Sequence, residues 1–208
     1  MKYKWLNKCE NSKIILFFNG WGMDECVVKH LDSEDYDVLM FYDYNTLDTD
    51  FDFNLLNNYS EKNLIAWSMG VMTGSLLASL LNFSKENGTS TAINGTLSPI
   101  DMEFGIHPKI YDLTIKGFNE KGRERFIKSM FDKDIEFCCN RNIAEQRAEL
   151  IALKNYQADK TFKYNKVLIC DNDKIIPTKS QVAFWETEPN LKGGHCPFFN
   201  FTKWSELL

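Results

Sequence analysis

LIAWSMGV, residues 64 to 71, places a serine directly after a run of apolar residues. The apolar run predicts a buried strand, and the leucine spacing that follows, to about residue 81, predicts a helix. Ala66 and Gly70, two residues to either side of Ser68, are small enough for a strand and a helix to cross closely. The stretch therefore predicts a nucleophile elbow, in which a serine hydroxyl sits on a strained turn. The alternative role for a serine at this position is to cap the helix.

Short apolar strands alternate with helices along the rest of the chain. Such alternation is typical of a parallel sheet covered by helices, so the sequence predicts an α/β fold. The predicted strands span 13–18, 36–42, 63–67, 89–94 and 166–170, and the predicted helices span 24–31, 69–81, 118–131, 142–157, 178–185 and the last residues. The helices at 118–131 and 142–157 carry mixed charge and interrupt the alternation. We therefore expect one domain, 1–208, with a helical lid insertion at about 108–160.

Composition excludes several classes of protein. The chain has 208 residues and a formal net charge of −5, which gives no sign of a nucleic-acid partner. The apolar run at 14–18 is too short for a signal peptide or a membrane span, so no membrane association is expected. Cysteines at 9, 26, 138, 139, 170 and 196 show no CxxC spacing, and the sequence has no metal-ligand motif or phosphate-binding loop. We expect a cytoplasmic protein with reduced thiols, no metal and no cofactor.

Two further residues complete a catalytic arrangement with the serine. A serine hydroxyl becomes a good nucleophile when a histidine takes its proton and a carboxylate orients that histidine. In α/β-hydrolases these groups follow the order Ser, Asp, His. His195 lies in a glycine-rich loop beyond the last predicted strand, and Asp173 is the preferred acid after that strand, with Asp171 as the alternative. An ordinary loop histidine and a helix-start acid are the other readings of these residues, but their order after Ser68 favours a triad.

Acyl transfer also needs backbone N–H groups that stabilise the negative oxygen of the tetrahedral intermediate. One donor normally belongs to the residue after the nucleophile, which is Met69 here. The second comes from an upstream loop. Residues 19–22 (NGWG) follow the first predicted strand and offer the N–H of Trp21. An ordinary turn at a strand end is the alternative interpretation.

Longer blocks of sequence extend the argument from motifs to a family. They are FFNGWGMD (17–24), LIAWSMGV (64–71), INGTLSPIDMEFGIHP (93–108), DNDKIIP (171–177) and GGHCPF (193–198). Over nearly its whole length the chain resembles the BioG type of pimeloyl-[acyl-carrier protein] methyl ester esterase. The NGWG block and the INGT-x-x-PID-x-x-x-GI block are more specific than the serine pentad.

The resemblance implies an α/β-hydrolase fold and a serine carboxylesterase. Such enzymes remove the methyl ester from pimeloyl-acyl-carrier protein during biotin synthesis. Carried over by position, the resemblance implies Ser68 as nucleophile, Asp173 as acid and His195 as base. It also implies Trp21 and Met69 as oxyanion and substrate contacts.

The segment KGRERFIK (121–128) carries four basic residues against one acidic residue. Acyl carrier proteins are acidic, so a basic helix offers a complementary docking face. The segment also resembles the lid helix of BioH-type esterases, whose arginines grip the carrier and whose apolar residues line the acyl channel. That resemblance implies acyl contacts at Phe126 and Met130, and carrier contacts at Lys121, Arg123, Arg125 and Lys128. A solvated helix face is the alternative.

Two other functions remain compatible with the sequence. A general short-acyl esterase or thioesterase would use the same triad, and only the basic segment and the family blocks argue against it. A non-catalytic binding protein of the hydrolase fold would keep a pocket but lose the triad. The presence of Ser68, Asp173 and His195 argues against this second class.

Overall fold

A six-stranded sheet, parallel except at one edge, forms the centre of the fold. The computed structural model describes residues 1–78, 81, 83, 86–132 and 139–208. The strand order is β1-β3-β2-β4-β5-β6, with β1 antiparallel to β3 and every other pairing parallel. The strands are β1 (Lys2–Asn7), β2 (Lys13–Phe18), β3 (Tyr36–Tyr42), β4 (Glu61–Trp67), β5 (Ser90–Ile93) and β6 (Lys166–Leu168). The carboxyl ends of the parallel strands therefore meet at one edge, where sites of α/β proteins form.

The central strand β2 is apolar on both faces of the sheet. Ile14, Leu16 and Phe18 belong to one buried cluster, whereas Ile15 and Phe17 belong to the other. Successive side chains of a strand point to opposite faces, so a continuous apolar run requires cover on both sides.

Helices and short 3₁₀ turns provide that cover. The helices are α1 (Met69–Leu77), α2 (Pro108–Gly117), α3 (Glu120–Met130), α4 (Ile143–Leu153) and α5 (Thr178–Trp185). Val71 of α1, Tyr111 of α2 and Leu150 of α4 pack in the first cluster, and Val27 and Trp204, from 3₁₀ turns, pack in the second. The predicted α/β architecture is confirmed. Within the described residues no helix is long and apolar enough to cross a membrane.

The five predicted strands are present with ends shifted by a few residues, but the edge strand β1 was not predicted. Its signal is the alternation of Lys2, Tyr3, Lys4 and Trp5, which is typical of a half-buried strand.

The helices of the structure differ more from the prediction than the strands do. Helix α2 was not predicted, although Pro108 at its first turn is a helix-start signal and the His107 ring accepts from the Lys109 N–H. The predicted helix at 24–31 is a 3₁₀ turn over Glu25–Val27, and the closing helix is a 3₁₀ turn over Trp204–Leu207. Helix α1 ends at Leu77, and Leu80, part of the predicted spacing, lies outside the described residues.

Candidate active site

Ser68 lies on a sharp turn between β4 and α1. Its φ of 58° and ψ of −125° place a non-glycine residue in an unfavourable backbone region. The start of α1 lies close to the end of the neighbouring strand β2, since a Cβ on Gly70 would lie 2.2 Å from the Phe18 carbonyl oxygen. A Cβ on Gly95 would lie 2.4 Å from the Ser68 carbonyl oxygen. The tight packing around this turn explains why glycines flank it in space.

Three of the predicted site residues form a continuous hydrogen-bonded chain. Ser68 Oγ lies 2.8 Å from His195 Nε2, and His195 Nδ1 lies 2.7 Å from Asp173 Oδ2. All three residues are buried, with exposed fractions of 5%, 1% and 5% for Ser68, His195 and Asp173. A histidine with a carboxylate on Nδ1 presents an unprotonated Nε2 to the hydroxyl. The arrangement can therefore transfer the Ser68 proton to the imidazole.

The surroundings distinguish the two candidate acids. Asp173 Oδ1 accepts from the N–H groups of Ile175 and Ile176, at 2.8 and 3.2 Å, and Oδ2 accepts from Gln181 Nε2 at 2.8 Å. Asp171 is exposed and pairs with Lys192 Nζ at 2.6 Å, and this hydrogen bond lowers the pKa of its carboxyl. The geometry therefore favours Asp173, which contacts the histidine, over Asp171.

The backbone of His195 is held by side chains that sequence reasoning missed. Its carbonyl oxygen accepts from Trp67 Nε1 at 2.8 Å and from Asn94 Nδ2 at 2.9 Å. Asn94 Nδ2 also reaches the Gly194 carbonyl oxygen at 3.2 Å, and Asn94 Oδ1 accepts from the Cys170 N–H at 2.8 Å. Asn94 has a φ of 44°. Its signal in the sequence is an Asn-Gly pair directly after a strand, inside the INGT block.

The Trp21 N–H, which is the predicted second oxyanion donor, lies in a β-turn over Gly20–Met23. Met23 N–H donates to the Gly20 carbonyl at 3.3 Å, and Gly22 has a φ of 72°, as the third residue of a type II turn requires. In the part of the chain that the structure describes, neither the Trp21 N–H nor the Met69 N–H donates to an acceptor. Both residues line the same cavity as Ser68. Two free donors beside a serine hydroxyl are the arrangement that an oxyanion needs.

The cavity next to Ser68 measures about 410 Å³, a volume typical of small-molecule sites. Trp21 makes edge contacts with Phe118 and Phe126, at ring-centroid distances of 5.0 and 4.7 Å. Arg125 and Lys174 are the charged side chains in the described lining. The other apolar lining residues are Met69, Ile106, Ile110, Tyr111, Leu113, Leu150 and Ile175. Such a wall suits an aliphatic chain.

The two predicted acyl contacts have different positions. Phe126 lines the cavity. Met130 is fully buried in the apolar cluster on the other face of the sheet, together with Trp67 and Phe198, and its carbonyl oxygen accepts from the Cys196 N–H at 3.1 Å. It is the last residue of α3, so its side chain and carbonyl hold the helix against the histidine loop. This placement differs from the predicted lining role.

The residues predicted to contact the carrier protein also differ in their exposure. Lys121, Arg125 and Lys128 are exposed on α3. Arg123 is half-buried, and its guanidinium donates to the carbonyl oxygens of Cys139 and Arg141, the second at 3.2 Å. It therefore ties α3 to the segment before α4.

The cysteines contribute no ligand cluster among the described residues, where no group of three or more His, Cys, Asp or Glu side chains suits a metal ion. Cys9, Cys26, Cys139, Cys170 and Cys196 are free thiols. Burial raises the pKa of Cys139 to about 11. Cys138 lies outside the described residues.

Comparison with known proteins places the chain in a family. The model of the family described as pimeloyl-ACP methyl esterase BioG matches residues 1–207. The crystal structure of BioG from Haemophilus influenzae is similar with a TM-score of 0.87 and 30% identity, and the match covers 100% of this chain and 99% of that chain. An esterase from Exiguobacterium antarcticum, at a TM-score of 0.68 and 14% identity over 95% of this chain and 89% of that one, shares the fold.

Two relatives at the sequence level agree with this match. A Haemophilus influenzae protein is 32% identical over 212 residues, with 95% of each chain covered. A malonyl-[acyl-carrier protein] O-methyltransferase from Bacteroides fragilis is 36% identical over 181 residues, or 83% of this chain. The matched region is 36% of that relative, so the chain spans about a third of its length. The chain therefore belongs to the BioG family of pimeloyl-ACP methyl esterases, carboxylic ester hydrolases of the α/β-hydrolase fold.

Proposed function

We propose that this chain is a cytoplasmic serine carboxylesterase that hydrolyses the methyl ester of pimeloyl-[acyl-carrier protein] to pimeloyl-[acyl-carrier protein] and methanol, in biotin synthesis. One observation carries the proposal: in a BioG-family chain, the hydrogen-bonded chain from Ser68 through His195 to Asp173 ends at the wall of an apolar cavity.

In the first half of the reaction, Ser68 Oγ attacks the ester carbonyl carbon while its proton moves to His195 Nε2. The negative oxygen of the tetrahedral intermediate accepts from the N–H groups of Trp21 and Met69. The intermediate then collapses, the bond to the methoxy oxygen breaks, and His195 gives its proton to that oxygen. Methanol leaves, and the pimeloyl group remains esterified to Ser68.

In the second half, a water molecule attacks the acyl-enzyme carbonyl while His195 Nε2 takes one of its protons. The second tetrahedral intermediate uses the same two N–H donors. Its collapse returns the proton to Ser68 Oγ and releases the free carboxyl end of the acyl chain. Asp173 keeps the imidazole in one orientation throughout and stabilises the imidazolium that forms twice.

The helices between β5 and β6 suit a long substrate that is attached to a protein. We assign the segment at about 108–160, which holds α2, α3 and α4, as a lid over the acyl chain. Exposed Lys121, Arg125 and Lys128 give α3 a positive outer face for an acidic carrier. Arg125 also reaches the cavity lining, so the docking face and the cavity entrance adjoin.

The substrate can be tested directly with carrier-bound pimeloyl methyl ester. We expect the purified protein to release methanol and to lower the mass of the acyl-carrier protein by one CH₂ unit, as mass spectrometry would record. Enzyme inactivated beforehand with a fluorophosphonate is the control. Release of free carrier would indicate a thioesterase instead, and hydrolysis of p-nitrophenyl esters without attack on the carrier substrate would indicate a general esterase.

Charge reversal on α3 tests the carrier. Lys121→Glu should lower kcat/KM for the carrier substrate severalfold more than for dimethyl pimelate, because the substituted charge repels an acidic carrier and slows association. The difference should shrink with added salt, since exposed charges are screened over about 8 Å at physiological ionic strength. Lys8→Glu is the matched control, since Lys8 is exposed and precedes β2 whereas the site follows it. An equal fall for both substrates would contradict carrier docking on α3.

A further inference from the structure

A buried charged cluster connects α4 to the turn that carries Trp21. Glu149 is fully buried, and Arg141 Nη1 lies 2.6 Å from its Oε2. Arg141 Nη2 lies 2.9 Å from Asp43 Oδ1. Burial raises the pKa of the Glu149 carboxyl, and the Arg141 charge opposes that rise. Buried charges of this kind destabilise a protein unless they are paired and hydrogen-bonded. The hydrogen-bond partners of Glu149 therefore matter for its role.

The carboxylate of Glu149 holds two backbone groups that lie more than 100 residues away in sequence. Its Oε2 accepts from the Gly22 N–H at 3.2 Å, and its Oε1 accepts from the Tyr44 N–H at 3.0 Å. The Tyr44 hydroxyl lies 2.9 Å from the Asn19 carbonyl oxygen and donates to it. Glu149 therefore contacts the Gly20–Met23 turn directly, and it also contacts Tyr44, which braces the residue before that turn.

Gln146, one helical turn before Glu149, fixes the remaining groups of the turn. The side-chain Nε2 of Gln146 donates to the Gly22 carbonyl oxygen at 2.7 Å, and the backbone carbonyl oxygen of Gln146 accepts from Trp21 Nε1 at 2.7 Å. The Gly20 carbonyl is already occupied by the Met23 N–H. The N–H and the carbonyl group of Gly22 and the indole of Trp21 are thus held by α4. The Trp21 N–H has no acceptor among the described residues, and Trp21 lines the cavity.

We propose that Glu149 and Gln146 are positioning residues that fix the Trp21 N–H as an oxyanion donor, with Arg141 holding Glu149 in place. The inference rests on the proposed esterase function. The Trp21 N–H belongs to the Gly20–Trp21 peptide, whose carbonyl oxygen accepts from the Met23 N–H that closes the turn. Glu149 holds the next peptide through the Gly22 N–H, and Gln146 holds the one after it through the Gly22 carbonyl oxygen. With these two peptides fixed, the turn keeps the shape that sets the direction of the Trp21 N–H. Preorganised donors of this kind stabilise a transition state because they need no reorganisation during the reaction.

Glu149→Gln tests the role with little change of volume. Loss of a single oxyanion donor costs about 10²–10³-fold in kcat, so partial misorientation of the Trp21 N–H should lower kcat for a small methyl ester by roughly 10-fold or more, with little change in KM. The affinity for an alkyl trifluoromethyl ketone, whose adduct with Ser68 carries an oxyanion, should fall by the same factor. The affinity for the corresponding alkyl amide, which forms no oxyanion, should stay unchanged. Glu145→Gln, the same substitution at an exposed position of α4, is the control.

Gln146→Met keeps the test decisive if Glu149→Gln folds poorly. It removes the donor to the Gly22 carbonyl and retains a side chain of similar size, and its backbone bond to the Trp21 indole remains. Fluorophosphonate titration counts competent sites, so kcat is expressed per active site. The positioning role would be overturned if kcat and the ketone affinity stayed unchanged in both variants. A lower melting temperature or a lower active fraction alone would then show that the two residues only stabilise the fold. Absence of ester hydrolysis by the wild-type protein would instead contradict the proposed function.

Discussion

Ser68→Ala is expected to lower kcat for any ester substrate by about 10⁴-fold or more, because the substitution removes the hydroxyl that attacks the ester carbonyl in the first step. The structural cost should be small. The Ser68 hydroxyl contacts His195 Nε2, and one hydrogen bond contributes about 1 kcal/mol net. For a chain of this size the melting temperature should therefore move by no more than roughly 4 °C. Steady-state hydrolysis of p-nitrophenyl acetate and calorimetry measure the two quantities.

Ser129→Ala is the matched control for this prediction. Ser129 lines the same cavity, but its hydroxyl donates to the Phe126 carbonyl oxygen at 2.7 Å within α3 rather than to Ser68 or His195. Its substitution should change kcat no more than a few-fold. Turnover near the wild-type value in well-folded Ser68→Ala would remove Ser68 from the mechanism, and loss of activity in both variants would point to a general defect of the cavity.

Asp173→Asn is expected to lower kcat by about 10⁴-fold while the protein stays folded. Every partner of the Asp173 carboxylate is a donor or the His195 ring: two backbone N–H groups on Oδ1, and Gln181 Nε2 with His195 Nδ1 on Oδ2. An asparagine that keeps its oxygen towards the backbone turns its NH₂ group to His195. The histidine must then accept at Nδ1 and carry its proton on Nε2, where it no longer takes the serine proton.

Asp171→Asn separates this effect from a general loss of negative charge near the loop. Asp171 is exposed and its contacts are Lys192 Nζ and the Gly193 N–H, at 2.6 and 3.1 Å. Its substitution should change kcat by less than about 10-fold, because exposed ion pairs contribute little. A larger fall for Asp171→Asn than for Asp173→Asn would move the acid to Asp171.

Local pattern and chain order were enough to predict the architecture and the candidate catalytic residues. Apolar runs of five to seven residues followed by helical spacing were sufficient for the α/β architecture, because buried parallel strands require such runs. The pentad around Ser68 required small neighbours where strand and helix cross, and the order of Ser68, Asp173 and His195 followed the order of the strand ends. Such residues can be recognised in the sequence because the strand or helix that carries each of them largely sets its environment.

Local pattern was weaker where an element is short or at an edge. Strand β1 alternates between exposed and half-buried residues, so its burial depends on pairing with β3 rather than on a continuous apolar run. The 3₁₀ turns at Glu25–Val27 and Trp204–Leu207 have apolar residues that fit a helix equally well.

Which groups from distant parts of the chain come into contact depends on how the helices and strands pack together. Two aspartates follow β6 two residues apart, and the turn directs Asp173 inward to His195 and leaves Asp171 with Lys192. Met130 and Arg123 fit their predicted roles by helical position, yet α3 presents the first to the core and the second to the chain before α4. The contact of Glu149 with Gly22 joins residues 127 positions apart. No periodicity encodes such contacts, because hydrogen bonding and burial depend on distances that arise only when separate elements pack together.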